Sequence, residues 1–176
     1  MGRCVPHESP RLSAEPLAGP LPAIRWRWDA ETDILSGSFR QSVEEGLDGT
    51  VELNDPAGAV AVLDIADGML AGLDIVVWPE VETAPGLAIP GGSVPARLVL
   101  AAPRRLRGAA SYEVEAPLHI RANPSETLYH LRIGAAGVAR RVRIADHLYV
   151  ELDADDGVAG CWLAAVPPFP SLDDAL

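Results

Sequence analysis

Residues 49–79, GTVELNDPAGAVAVLDIADGMLAGLDIVVWP, alternate apolar and polar positions in short runs separated by turn residues. Val51 and Leu53 alternate with Glu52 and Asn54, NDPAG (54–58) reads as a turn, and AVAVLDI (59–65) reads as a mostly apolar strand. Asp67-Gly68 is a tight hairpin signal, because glycine accepts the positive φ such turns need. LAGLDIVVW (70–78) then returns as a buried strand. Turn signals recur every eight to twelve residues and hardly any stretch has helical periodicity. This is the pattern of an antiparallel meander.

A second version of the pattern follows. PLHIRANPSETLYHLRI (117–133) matches AIRWRWDAETDILSGSF (23–39), each a strand, an Asx/Pro-type bend and a strand. ARRVRIAD (139–146) matches GTVELND (49–55), and HLYVELDADDGVAGCWLAAVPP (147–168) matches GAVAVLDIADGMLAGLDIVVWP (58–79). Leu63, Asp64, Gly68, Gly72 and Pro79 align with Leu152, Asp153, Gly157, Gly160 and Pro167.

One meander has a single apolar face that it cannot bury alone, and a second copy supplies the mating face. The expected fold is therefore all-β: two repeated antiparallel β-meander units packed as a sandwich or flattened barrel with approximate two-fold pseudo-symmetry. The expected boundaries are a proline-rich mobile tail at 1–22 and a first repeat at 23–81. A linker at 82–114 follows, with ARLVLAA (96–102) as a possible extra strand, then a second repeat at 115–170 and a C-terminal tail at 171–176. A single-copy relative would have to dimerise. The duplicated chain supplies its own partner, so a monomer or a homodimer is expected.

Composition narrows the function. Apolar residues make up 48% of the 176, enough for a real core, while aromatics are only 5%, so that core is mostly Val, Leu, Ile and Ala. No apolar run approaches the roughly 18 residues of a membrane-spanning helix. Residues 1–22 carry charges and five prolines but no apolar signal-peptide core, so a cytoplasmic location is expected. Cys4 and Cys161 form neither a disulfide framework nor a metal-ligand spacing. The net charge of −11 disfavours nucleic acid and membrane as partners and favours a basic protein, or simply solubility. All 14 cationic side chains are arginine, which removes Schiff-base and phosphate-loop lysine chemistry and suggests a high-GC bacterial genome.

RWDAETDILSGSF, TVELND and LDIADGMLAGLDIVV together resemble a bacterial family, the domain of unknown function 2283. Asp29 and Asp33 match its bend. Gly68, Gly72, Leu73, Asp74 and Ile75 match its closing hairpin, with Asp74 in place of glutamate. The second copy keeps Leu128-Tyr129 and carries Trp162 at the acidic hairpin position. The resemblance covers about two thirds of the chain and implies, by analogy, an antitoxin-like partner of a small ribonuclease-type toxin.

No phosphate loop, dinucleotide fingerprint or metalloprotease helix occurs, and GGSVP (91–95) lacks the closing glycine of a nucleophile elbow. No metal and no cofactor is expected: His7, His119, His130 and His147 show no ligand spacing. LDADDG (152–157) lacks the later ligands of a calcium loop and reads as a turn. Arg140, Arg141 and Arg143 form a basic stripe with Val142 and Ile144 inward, and VPPFP (166–170) is expected to anchor the end of the chain in the core through Phe169, with docking of a partner as the alternative.

Two functions follow. In the first, a binding protein engages a basic protein through its acidic surface or sheet edges, with Asp29, Asp33 and Asp74 as candidate contacts. In the second, Trp28, Trp78, Tyr129, His130 and Trp162 line a pocket for a small hydrophobic ligand, where shape alone could guide a cyclisation or isomerisation. The plainer reading of the four tryptophans, which so alanine-rich a chain favours over a pocket, is that they are the large residues of the core. The balance is against an enzyme.

Overall fold

The computed structural model describes residues 11–39, 49–100 and 110–170, and these contain fourteen strands and no helix. The first half holds β1 (Leu12–Pro16), β2 (Arg25–Asp29), β3 (Ile34–Ser38), β4 (Gly49–Asn54), β5 (Val60–Ala66) and β6 (Met69–Val77). Then come β7 (Val81–Thr83), β8 (Val94–Leu100) and β9 (Ala110–Glu115). The second half holds β10 (Leu118–Ala122), β11 (Tyr129–Ile133), β12 (Arg140–Ala145), β13 (Leu148–Leu152) and β14 (Val158–Leu163).

All fourteen strands join one curled, half-barrel sheet. In the first half the antiparallel pairings run β2–β3–β6–β5–β4, and in the second half they run β10–β11–β14–β13–β12. Within each half Asp64 stands opposite Gly72 and Glu151 opposite Gly160, each one residue before a register shift. This pairing sets Asp64 beside Glu151 in the comparison of halves, not beside Asp153. The identical Leu-Asp letters fall on different sides of the bulge: Leu63 and Asp64 precede it, whereas Leu152 follows it and pairs with Val158 as Ile65 pairs with Leu70.

The remaining strands are less local. β8 pairs parallel with β12, β9 parallel with β4, and β7 parallel with β10. Residues 12–16, assigned from sequence to a tail, form β1 and pair with β8 from Leu12↔Leu100 to Pro16↔Ala96. The segment 82–114, read as a linker, contributes all of β8 and most of β9 within its bounds. Residues 1–10 of the expected N-terminal tail and the whole of the expected C-terminal tail, 171–176, lie outside the described residues, as do Cys4 and His7.

Two aspartates tie the halves together. After β4, Asp55 Oδ2 accepts the backbone N–H of Leu118, the first residue of β10, at 2.6 Å. After β12, Asp146 Oδ1 accepts the N–H of Ile24, one residue before β2, at 2.9 Å. Asp55 thus caps the entry of β10, and Asp146 the entry of β2. The core lies on the inward face: Leu35, Leu63, Leu73 and Ile75 from one half, and Leu131, Leu148, Val150 and Leu163 from the other, are all at most 1% exposed.

Candidate functional site

The expected aromatic residues separate into two groups. β11 begins Tyr129-His130, and successive strand residues point to opposite faces. Tyr129 therefore turns inward, where Trp28 and Trp78 also lie, and His130 turns outward with Trp162, its cross-strand partner on β14.

The inward group forms an open cleft of about 320 Å³ where the two halves meet. Trp28 stacks on Trp78 with ring centroids 5.5 Å apart, and Trp78 meets Tyr129 at 5.5 Å. Phe169 adds its edge to Trp28 at 5.2 Å, and at 44% exposure it is a wall of the cleft, not the core anchor that the sequence suggests. The indoles are oriented by hydrogen bonds. Trp28 Nε1 donates to Pro167 O at 2.8 Å, Trp78 Nε1 to Asp33 O at 2.8 Å, and Trp26 Nε1 to Ala164 O at 2.9 Å. Trp26 lies over Gly37, its cross-strand partner, where any Cβ would collide with the indole. Val81, Asp33 and Glu126 complete the lining. Burial pushes the Tyr129 phenol up to about 12, with the charge of Glu126 adding to it.

The outward group surrounds a buried carboxylate that the sequence reading did not select. Glu151 is 3% exposed. Its Oε1 lies 2.6 Å from His130 Nε2, and its Oε2 accepts Arg141 Nε at 3.2 Å and Nη2 at 2.6 Å. His130 stacks on Trp162 with centroids 4.2 Å apart. Burial works to raise the Glu151 pKa, but the hydrogen bonds from His130 and Arg141 outweigh it and hold it down at about 2. A cavity of about 290 Å³ opens beside this network, lined by His119, Ile120, Arg121, His130, Arg132 and the β7-side residues Glu80 and Glu82.

The three candidate aspartates do not converge. Asp29 is committed to its bend, its Oδ1 accepting the N–H of Glu31 at 2.9 Å, and this bond is the main cause of its lowered pKa. Asp33, at φ 60°, reaches the aromatic cleft. Asp74 lies on the outward face of β6 opposite Ser36. Burial raises its pKa against hydrogen bonds with Ser36 and Asp64.

The arginine stripe divides in the same way. Arg140 pairs with Asp156, Arg141 with Glu151, and Arg143 donates to Asp146 O at 2.6 Å while lying over the Tyr149 ring. In LDADDG, Asp153 Oδ1 accepts the N–H groups of Asp155 and Gly157 at 2.8 and 2.9 Å, so the carboxylate holds the turn. Burial pushes the Cys161 thiol up to about 12, which removes it as a thiolate at neutral pH. A third cavity, about 350 Å³, lies between Leu17, Pro22, Phe39, Met69, Leu70 and Ile144, with Asp67 and Arg97 on its wall. Among the described residues no group of three or more His, Cys, Asp and Glu is placed to hold a metal ion. No known family model matches the chain, and no curated protein matches it.

Proposed function

We propose that the chain is a binding protein and that its aromatic cleft receives a basic side chain of a protein partner. One observation carries this reading: Trp28, Trp78, Tyr129 and Phe169 share an open cleft with two acidic residues, Asp33 and Glu126, and with no cationic lining residue. An arginine or lysine laid there meets ring faces and carboxylates at once, and each ring contact contributes about 0.5–1 kcal/mol at such an exposed site. The net charge of −11 adds long-range attraction for a basic partner. The alternative of a hydrophobic metabolite guided by shape needs an enclosing pocket. This cleft is open, and Trp162 and His130 lie outside it.

The same reading takes the chain as a duplicated β-meander closed upon itself with approximate two-fold symmetry, in a bacterial cytoplasm. The identical pairing order in the two halves and the exchange of caps by Asp55 and Asp146 support it. The resemblance of its two degenerate copies to the domain of unknown function 2283 family extends it to an antitoxin-like role, with a small basic toxin as the partner.

The test is titration of tryptophan fluorescence with an arginine-rich peptide and an acidic peptide of equal length. The reading expects saturable quenching by the basic peptide alone, weakened at least fivefold by Asp33→Asn with Glu126→Gln. Asparagine tolerates the positive φ at 33, so the bend survives the change. Equal quenching by the acidic peptide, or unchanged affinity in the double variant, overturns it.

A further inference from the structure

We propose that the outward face of β10 and β11 is a second binding site, one that takes a single oxyanion group, carboxylate or phosphoryl, of a small molecule. The register builds it. Arg121 stands opposite His130 and His119 opposite Arg132, so two guanidinium and two imidazole groups form a two-by-two block on adjacent strands. All four line the cavity of about 290 Å³. Facing strands are about 4.8 Å apart, a spacing at which donors on both can reach one oxyanion.

The two arginines are not consumed by the fold. Among the described residues neither forms an ion pair, and Arg132 makes only a long 3.4 Å contact to Ala136 O. Glu82 is the cross-strand neighbour of Arg121 on β7 and lines the cavity without closing on it. Glu80 and Glu82 together restrict the occupant, because a second anionic group on the β7 side would be repelled. A hydroxyl or ammonium beside the oxyanion would be accepted there.

The edge of the site is braced in a way that the sheet itself does not require. His130 is gripped by Glu151 at 2.6 Å and stacked on Trp162 at 4.2 Å, and its side chain is 11% exposed. Glu151 is in turn held by Arg141, in a space that Gly160 leaves open. At the matching register positions of the first half stand Ser36, Asp64 and Thr50, and the same strand order forms there without a His–Glu–Arg network. A buried ionic network rarely stabilises a fold more than apolar packing would. Its presence on one half only is explained by its fixing of His130 at the cavity wall.

The test follows the side-chain ¹H–¹⁵N signals of His119 and His130 while the protein is titrated with sodium phosphate and, separately, sodium acetate at constant ionic strength. The site predicts a saturable shift of both imidazoles along one isotherm. Saturation by phosphate alone assigns a phosphoryl ligand, by acetate alone a carboxylate, and by both a general oxyanion site. Arg121→Ala and Arg132→Ala should each weaken binding at least tenfold with the backbone amide spectrum unchanged away from the site. The absence of a saturable shift with either anion overturns the proposal, as does affinity kept within twofold in both variants.

Discussion

Glu151 faces Gly160 across the β13–β14 ladder, and the missing side chain of Gly160 is what gives the buried carboxylate its place. A Cβ at position 160 would lie 2.8 Å from Glu151 Oε1 and 2.7 Å from the carbonyl oxygen of Leu131. Asp64 and Gly72 repeat the relationship, with a Cβ at 72 falling 3.0 Å from Asp64 Oδ2 and 2.7 Å from Gly37 O. Gly160→Ala should therefore destabilise the protein by about 2–3 kcal/mol, because one obstacle is backbone and the other is pinned on two sides. Urea unfolding with an unchanged midpoint would remove this account of the glycine.

The Glu151 carboxyl, held at about 2 in the folded protein, lies below its ordinary value of 4.5. A depressed folded pKa adds stability that is fully present above the ordinary value and lost as pH falls toward the folded one. The wild-type protein should thus lose Glu151's contribution between about pH 4.5 and pH 2. Glu151→Gln should flatten that part of the acid limb. It should also cost about 3 kcal/mol at pH 7 by leaving Arg141 without its counter-charge. Thermal melts of both proteins across this range measure the difference directly, and parallel curves would contradict it.

Asp55 accepts two backbone N–H groups, from Ala57 and Leu118, both at 2.6 Å. Asp146 accepts one across the halves, from Ile24. Asp55→Ala should destabilise by about 2 kcal/mol and Asp146→Ala by about 1 kcal/mol. Hydrogen exchange at the Leu118 amide should accelerate in the first variant and at the Ile24 amide in the second. Protection retained at both amides would show that other contacts carry the junction.

Asp74 behaves in the opposite sense. Its pKa is raised because burial disfavours the charge, so the carboxylate form weighs against the fold at neutral pH and stability is regained as pH falls through the raised value. Asp74→Asn should leave stability at pH 7 unchanged or raise it by about 1 kcal/mol, since the amide can donate to Asp64 while remaining neutral. A loss of more than that in denaturant titration would mean the charge is being used.

Trp28→Phe removes the indole donor that holds Pro167 O and keeps a ring against Trp78 and Phe169. Global stability should fall by only about 1 kcal/mol, the cost of one hydrogen bond. The segment after β14 should become the first point of attack under limited proteolysis. Equal cleavage rates in the two proteins would show that the segment is held by its other contacts, such as Val166 N–H to Thr127 O.

Alternation and turn chemistry alone determined that the protein is all-β, and they located the hairpin at Asp67-Gly68 and the bend at Asp29–Asp33. They also placed Trp26 and Trp28 on one strand face, because these are properties of neighbouring residues. The same alternation already separates Tyr129 from His130, so the two cannot share one face of the sheet. Tertiary structure alone decided the parallel partners β7, β8 and β9 and the pairing of β1, since no local turn announces a strand that pairs far along the chain. It also decided the burial of Glu151. Alternation in YVEL sets Glu151 on the face opposite Val150 but does not say that this face is covered. Glu151 is buried because β13 lies mid-sheet between β14 and β12, where its neighbours are His130, Trp162 and Arg141. Only the packed sheet brought Trp28, Trp78, Tyr129, Asp33 and Glu126 into one cleft.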